Sequence, residues 1–197
     1  MAKARKKRKS SKRRRHDRIA ILLRIIIVLL LAFIIGMIVW FALHDRDVRS
    51  GVNALKKGNY DEAISCFDTS IAAGEDVAES HRGKGLAYYE QKKYKEAAEE
   101  LITSVDKGAE PTAQVCSLIV NCLMQQEQYE ESLEWLQKGL EAEGLSYEMK
   151  KQMRYQTVIC YEKTAQWEQA KECAQEYIAD YPEDDKMDRE YKFLESR

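Results

Sequence analysis

A motif that recurs about every 34 residues constrains the fold of this 197-residue chain more than any other feature. In each copy an aromatic residue is followed three positions later by a small residue, and successive copies are separated by 34, 35 and 38 residues. A repeat of this length is a unit that cannot bury its apolar face alone, so about three or more units must stack. The pattern therefore predicts a solenoid of about four stacked units, with its aromatic positions at Tyr60, Tyr94, Tyr129 and Trp167.

The motif resembles the tetratricopeptide repeat. The resemblance rests on the aligned segments that begin at Gly51 and Gly85, on the stretch GNYDEA at 58–63, and on Pro182 after the fourth unit. It implies an all-α solenoid of about four helical hairpins. In each hairpin the aromatic residue fills the turn, and small residues let the helices approach closely. These small positions are Gly51, Gly85, Val120 and Val158 on the first helices, Ala63, Ala97, Ser132 and Ala170 on the second helices, and Ser70, Ser104 and Gly139 facing the next unit.

The residue pattern also places the individual helices of the predicted solenoid, residues 44–182. Asn59 and Glu62 form an N-cap pattern that predicts the start of the second helix in the first unit. In the fourth unit Tyr177 replaces the small residue, which suits a unit followed by a cap, and residues 183–197 are predicted to form that capping helix. The predicted helix pairs are 45–57 with 60–73, 78–91 with 94–107, 112–126 with 129–142, and 148–164 with 167–180.

The apolar run Ile19–Leu43 is a second strong constraint. It contains 25 residues with Arg24 as its only charge. As a helix it spans roughly 37 Å, more than a hydrocarbon core of about 30 Å. Trp40 lies near one end, where an interfacial aromatic is favoured. The run predicts a transmembrane signal-anchor helix over residues 19–43. Because basic residues precede it, we expect a cytoplasmic N-terminus and an extracytoplasmic solenoid at the cell membrane.

The segment 1–18 holds eleven basic side chains and one acidic one, whereas the whole chain has a formal net charge of −1. Such a segment cannot bury a core and is predicted to be a disordered polybasic tail. Beside a membrane span it is typical of an orientation signal that binds anionic lipid. The alternative is docking to a ribosome, RNA or an acidic protein, although no aromatic residue is available to stack on bases. The side chains expected to face lipid include Lys6, Lys7, Arg8, Lys9, Arg13, Arg14 and Arg15.

Motifs for catalysis, cofactor binding and metal binding are missing from the sequence. It contains no HExxH, GxGxxG, P-loop or nucleophile elbow, and His81 has no partner at metal-ligand spacing. We therefore expect no enzyme activity, cofactor, metal ion or small-molecule substrate. The five cysteines cannot all pair within the chain, which favours buried reduced thiols. A disulfide between Cys160 and Cys173 across the fourth hairpin is the alternative.

The resemblance further implies a concave groove, lined by the first helix of each unit, that takes peptides or partner helices. Val48 and Val52 stand in the first unit, so the residues with which some family members clamp a C-terminal carboxylate are not reproduced. The alternative is that the groove positions are solvated parts of a spacer. The groove residues implied by the match are Val52, Arg82, Leu86, Tyr89, Ser117, Asn121, Met124, Gln125, Tyr155, Gln156 and Ile159.

Together these features predict a membrane-anchored interaction module that captures segments of exported or envelope proteins near the membrane. This organisation is similar to that of membrane-anchored bacterial tetratricopeptide repeat proteins that assist secretion or envelope assembly. One rival is a fixed scaffold subunit of a single membrane complex. A second rival makes the polybasic tail the active part, with the solenoid as an accessory. We expect protein or peptide partners and anionic lipid, and no nucleic-acid partner.

Overall fold

The computed structural model describes residues 26–39 and 46–196. The chain divides into two units, Met1–Arg46 and Asp47–Arg197. Within the described residues, helices are the only regular secondary structure, in agreement with the predicted all-α class.

In the first unit, residues 26–39 form helix α1. Its large apolar side chains are between 45% and 70% exposed. Among the residues that the structure describes, no helix has both the length and the apolar character needed to cross a membrane. The predicted anchor over Ile19–Leu43 extends past both ends of α1, and the polybasic tail over residues 1–18 also lies outside the described residues. Both therefore stay predictions.

Over the described residues 46–196, nine helices follow one another, and each begins and ends within two residues of its predicted position. They pair as hairpins α2–α3, α4–α5, α6–α7 and α8–α9, and α10 packs on α9. The helices are α2 (Arg46–Lys56), α3 (Tyr60–Ala73), α4 (Val77–Glu90), α5 (Tyr94–Asp106), α6 (Ala113–Gln125), α7 (Tyr129–Glu141), α8 (Tyr147–Lys163), α9 (Trp167–Asp180) and α10 (Asp185–Glu195).

All four hairpins turn in the same way. The residue two positions before each predicted aromatic has a positive φ: 78° at Gly58, 59° at Lys92, 59° at Glu127 and 57° at Ala165. The N–H of the next residue donates to the carbonyl oxygen five positions earlier, with N···O distances of 2.8–3.0 Å. This is a Schellman turn, which satisfies carbonyls at the end of the first helix. The aromatic then begins the second helix in every unit, as predicted.

Small residues set the contact between neighbouring units, also as predicted. A Cβ added at Gly139 would lie 2.6 Å from Met153 Cε and 2.9 Å from Cys116 Cβ, so the glycine lets α7 approach α8. The resemblance implies that Gly85 faces a small residue, but in the structure it faces a large one. A Cβ there would lie 2.6 Å from Leu101 Cγ, so this glycine makes room for a large side chain of α5.

Phe67 forms the centre of what we call the N-terminal junction, the packing of α2, α3 and α4. Its side chain is fully buried. The ring lies between Gly51 of α2 and Gly83 of α4, and a Cβ on either glycine would overlap it. Gly83 was not singled out in the sequence, because its partner is 16 residues away on another helix.

Tyr177 forms the centre of the C-terminal junction, the packing of α8, α9 and α10. Its ring centroid lies 4.8 Å from that of Tyr181 and 6.2 Å from that of Tyr155. Its hydroxyl donates to Asp184 Oδ2 at 2.8 Å. Burial, together with this hydrogen bond, raises the pKa of Tyr177. The same bond lowers the pKa of the Asp184 carboxyl.

One local prediction needs correction, and the alternative of a Cys160–Cys173 disulfide is not realised. Asn59 precedes α3 but its side chain does not cap the backbone; instead its Nδ2 donates to Glu62 Oε2 at 3.0 Å. Cys160 and Cys173 form no disulfide, and both thiols are free. Burial raises the pKa of Cys122 and of Cys160 to about 12, so these two thiols are protonated and unreactive at neutral pH.

Candidate protein-binding groove

Several predicted groove residues lie in two rows that cross the first helices α4, α6 and α8. Positions in each row are 35 residues apart, the length of one repeat. Helices α6 and α8 are in direct contact, so the third and fourth units present their first helices side by side. The two rows are Leu86, Asn121 and Gln156, and Tyr89, Met124 and Ile159.

Asn121 and Gln156 are the two groove residues that the structure joins by a hydrogen bond. Gln156 Nε2 donates to Asn121 Oδ1 at 2.8 Å, across the contact between α6 and α8. Gln156 Oε1 is buried and has no hydrogen-bond partner among the described residues. The two amides therefore link two units by one hydrogen bond and leave the Gln156 Oε1 acceptor unpaired. An unpaired acceptor costs free energy in a closed interior.

The other groove side chains differ in how far they are available to a partner. Val52 and Gln125 are exposed, and the rest are half-buried. Tyr89 packs edge-to-face on Tyr94, with ring centroids 5.9 Å apart. Tyr155 packs in the same way on Tyr177. These two tyrosines thus belong partly to the core, and each offers only part of its ring to the groove.

Two basic side chains of α4 form ion pairs with nearby carboxylates. Arg82, a predicted groove residue, pairs with Glu79 one turn earlier. Lys84 Nζ lies 2.8 Å from Asp68 Oδ1 on α3 and 2.7 Å from Glu100 Oε1 on α5. Burial alone would lower the pKa of Lys84, but the two carboxylates raise it overall. This ion network ties three helices together, and the spacing of its members in sequence gave no signal of it.

His81 has a close polar partner on another helix, which its spacing in the sequence did not reveal. Its Nδ1 lies 2.6 Å from Glu100 Oε2, the carboxylate that also holds Lys84. The contact is an internal bond between α4 and α5. No group of three or more metal-ligating side chains occurs in the part of the chain that the structure describes.

These helices define a solenoid of stacked antiparallel hairpins, the architecture of helical repeat proteins that present a surface to other molecules. Tetratricopeptide repeat models match residues 49–110, 113–144 and 152–184, which together make up more than half of the chain. The chain therefore belongs to the tetratricopeptide repeat family. No curated protein sequence matches it significantly.

Solved structures with the same fold include YrrB, a TPR protein with an unusual peptide-binding site. It is 16% identical, with a TM-score of 0.65 over 76% of this chain and 75% of YrrB. MamA protein is also 16% identical, with a TM-score of 0.63 over 77% and 80% of the two chains. MamA from Desulfovibrio magneticus is 17% identical, with a TM-score of 0.60 over 78% and 84%. At this level of identity the similarity concerns the fold alone.

Proposed function

We propose that this protein is a membrane-anchored interaction module, without catalytic activity, whose groove binds segments of exported or envelope proteins. The observation that carries the proposal is the alignment of α6 and α8, in which Asn121 and Gln156 meet at 2.8 Å. Stacked first helices form a continuous surface of polar and apolar side chains, which is suited to an extended or helical peptide. The peptide-binding site attributed to YrrB supports this kind of use for the fold.

The membrane anchor rests on α1 and its flanking sequence. The apolar side chains of this helix are exposed, and exposed apolar surface on this scale requires a covering partner. The apolar run continues on both sides of α1, and eleven basic residues precede it. A lipid bilayer fits this pattern, with the N-terminus on the cytoplasmic side and anionic lipid at the basic tail.

Two other functions compete with this proposal. In the first, the solenoid is a fixed scaffold subunit and binds one partner of one membrane complex. In the second, the polybasic tail docks to a ribosome, RNA or anionic lipid, and the solenoid is an accessory. The groove favours the main proposal and the scaffold alternative, since both involve protein binding, and the identity and number of partners separate these two.

Site-specific photo-crosslinking in cells tests the groove. A photoreactive amino acid replaces Gln125, which is exposed on α6, and a matched variant carries it at Glu96, which is exposed on the second helix α5. Adducts with several secreted proteins from Gln125 alone would support capture of exported proteins. A single adduct would favour the scaffold. Equal adducts from both positions, or none, would reject the groove.

Membrane anchoring has its own test. Replacing Leu30 and Ile34 of α1 by arginine puts two charges in the middle of the apolar run, at about 2.5–3.5 kcal/mol each for insertion. We expect the unaltered protein to stay in the membrane fraction after alkaline washing and the double variant to be released. Release of both proteins would reject the anchor.

A further inference from the structure

The structure contains a second candidate surface on the side of α8 that faces away from the predicted groove. At 3.6 residues per turn, Thr157 and Tyr161 lie opposite Tyr155 and Ile159 on this helix. Thr157 and Tyr161 line a cavity of about 370 Å³ that opens between α7 and α8. We call it the acidic cleft, lined by Leu133, Glu134, Gln137, Leu140, Glu141, Thr157 and Tyr161.

The floor of the acidic cleft is apolar. Leu133 and Leu140 pack on the core of the second and third units, and Tyr161 packs on the core of the fourth unit. The Thr157 hydroxyl donates to the carbonyl oxygen of Met153 at 3.0 Å, so it does not need a hydrogen bond from a ligand. A cleft of this size with apolar walls and a few charged groups is typical of a site that receives side chains of a partner.

Both charged groups in the wall of the cleft are carboxylates, and both are exposed. Among the ion pairs of the described residues, none involves a carboxylate of α7. Glu141 accepts one hydrogen bond, from the neutral amide of Gln137, with Nε2 at 3.1 Å. Lys138 is the nearest basic residue on this helix, and its ammonium lies 4.0 Å from the centre of the Trp135 ring.

The acidic character continues beyond the cleft. A second cavity of about 360 Å³ shares Glu141 and is also lined by Glu110 and Glu143, with Lys138 as its only basic residue. Two cations of α8 have partners outside the cleft: Arg154 Nη1 lies 2.5 Å from Asp180 Oδ2 on α9, and Lys151 pairs with Glu183 and Asp184. The surface therefore offers apolar contact bordered by excess negative charge.

We propose that the acidic cleft binds a basic amphipathic helix of a partner protein, in addition to any ligand of the groove. Glu134 and Glu141 are seven residues apart on α7, a separation of about 10 Å along the helix axis. A partner helix lying along α7 repeats this spacing with Lys or Arg seven positions apart. Aliphatic residues three and four positions after the first basic residue would face the apolar floor. The apolar contact supplies most of the affinity, while the charges select basic over acidic segments.

Peptide binding to the full-length protein in detergent micelles tests this inference, with fluorescence anisotropy as the readout. The probe is a labelled peptide, AKAALLAAKAALLAAK, and the comparison peptide has glutamate in place of each lysine. Micelles without protein give the background. The test variant is Glu134→Gln with Glu141→Gln, and the matched control is Glu96→Gln with Asp106→Asn, which removes two exposed charges from α5.

We expect the basic peptide to bind, the acidic peptide not to bind, and the test variant to lose about tenfold in affinity. The matched control should bind as well as the unaltered protein. Equal losses in both variants would show unspecific attraction by the net charge and would overturn the inference. It would also be overturned if Gln156→Ala in the groove abolished binding while the test variant retained it. A rise in affinity on deletion of residues 1–18 would identify the chain's own basic segment as the occupant, which would reject the external partner.

Discussion

The two junctions at the ends of the solenoid fill the space between helices in different ways. At the N-terminal junction, Phe67 is wholly apolar and two glycines on neighbouring helices make room for it. At the C-terminal junction, Tyr177 lies where earlier units have a serine or glycine, and its hydroxyl is tied to Asp184. A further hairpin must approach closely, which requires small residues, whereas the cap α10 leaves room for a large ring. The comparison shows that the same repeat position changes character when the next element changes.

Removing the Phe67 ring should have the largest effect on stability. Phe67→Ala deletes a fully buried ring and leaves a cavity between two glycines that cannot fill it. We expect a loss of about 3–5 kcal/mol in the free energy of unfolding. Urea titration followed by circular dichroism measures it. Phe193→Ala, on the exposed face of α10, is the control and should change the free energy by about 0.5 kcal/mol or less. A loss of under about 1 kcal/mol for Phe67→Ala would contradict this account of the junction.

Adding a methyl group at Gly83 should have the next largest effect. Its Cβ would overlap the Phe67 ring, and overpacking outweighs the better helix propensity of alanine. We expect Gly83→Ala to cost about 1–2 kcal/mol. Combined with Phe67→Leu, the same change should cost less than the sum of the two single variants. Strict additivity in this double-mutant cycle would show that the two residues do not interact.

The hydrogen bond of the C-terminal junction should make stability depend on acid pH. The Asp184 pKa is lowered below its ordinary value of 3.8, first by the Tyr177 hydroxyl. The bond therefore stabilises the fold above that ordinary value, and this stabilisation is lost as pH falls through the lowered pKa. At pH near 7, Asp184→Asn should be less stable than the unaltered protein. On acidification, its stability should fall by a smaller amount. Urea midpoints of both proteins at pH near 7 and at acid pH measure the two differences. If the stability of the two proteins fell equally with pH, the Tyr177–Asp184 hydrogen bond would not be the source of the pH dependence.

Substitutions in the hairpin turns should change stability least. The sign of the change depends on whether glycine is added or removed. Lys92 has a left-handed backbone that glycine adopts without strain, and Gly58 already occupies the equivalent position. We expect Lys92→Gly to stabilise by about 0.5 kcal/mol and Gly58→Ala to destabilise by about 1 kcal/mol. Thermal melting of both variants measures the pair of changes. Shifts of the same sign would show that the two turns are not equivalent.

Much of the fold followed from local patterns. Among the described residues, the recurring aromatic and small residues predicted the eight helices of the four hairpins within two residues, because helical periodicity and turn preferences depend on neighbours in sequence. The role of Gly139 was also predicted, since it occupies the same register as Ser70 and Ser104. Gly83 was missed because its close contact with Phe67 depends on the angle between α3 and α4, which no local pattern encodes.

Fewer features of the candidate surfaces could be predicted. The repeat register placed Asn121 and Gln156 on equivalent faces, but only the distance between α6 and α8 decided that they share a hydrogen bond. The ion network of Lys84 and the contact of His81 with Glu100 join residues 16 to 19 positions apart on different helices. The acidic cleft likewise depends on packing, because Glu134 and Glu141 of α7 and Tyr161 of α8 line the same cavity only when the two helices meet.

By itself the sequence determined the repeat length, the hairpins, the family and the segregation of charge between the tail and the rest of the chain. These properties depend on residue types and on spacing along the chain, which helical geometry converts directly into faces. The tertiary structure decided which side chains meet across helices, which thiols are buried, and which side of α8 carries a cleft. Those outcomes depend on interhelical distances and side-chain rotamers, which are set by packing between residues distant in sequence.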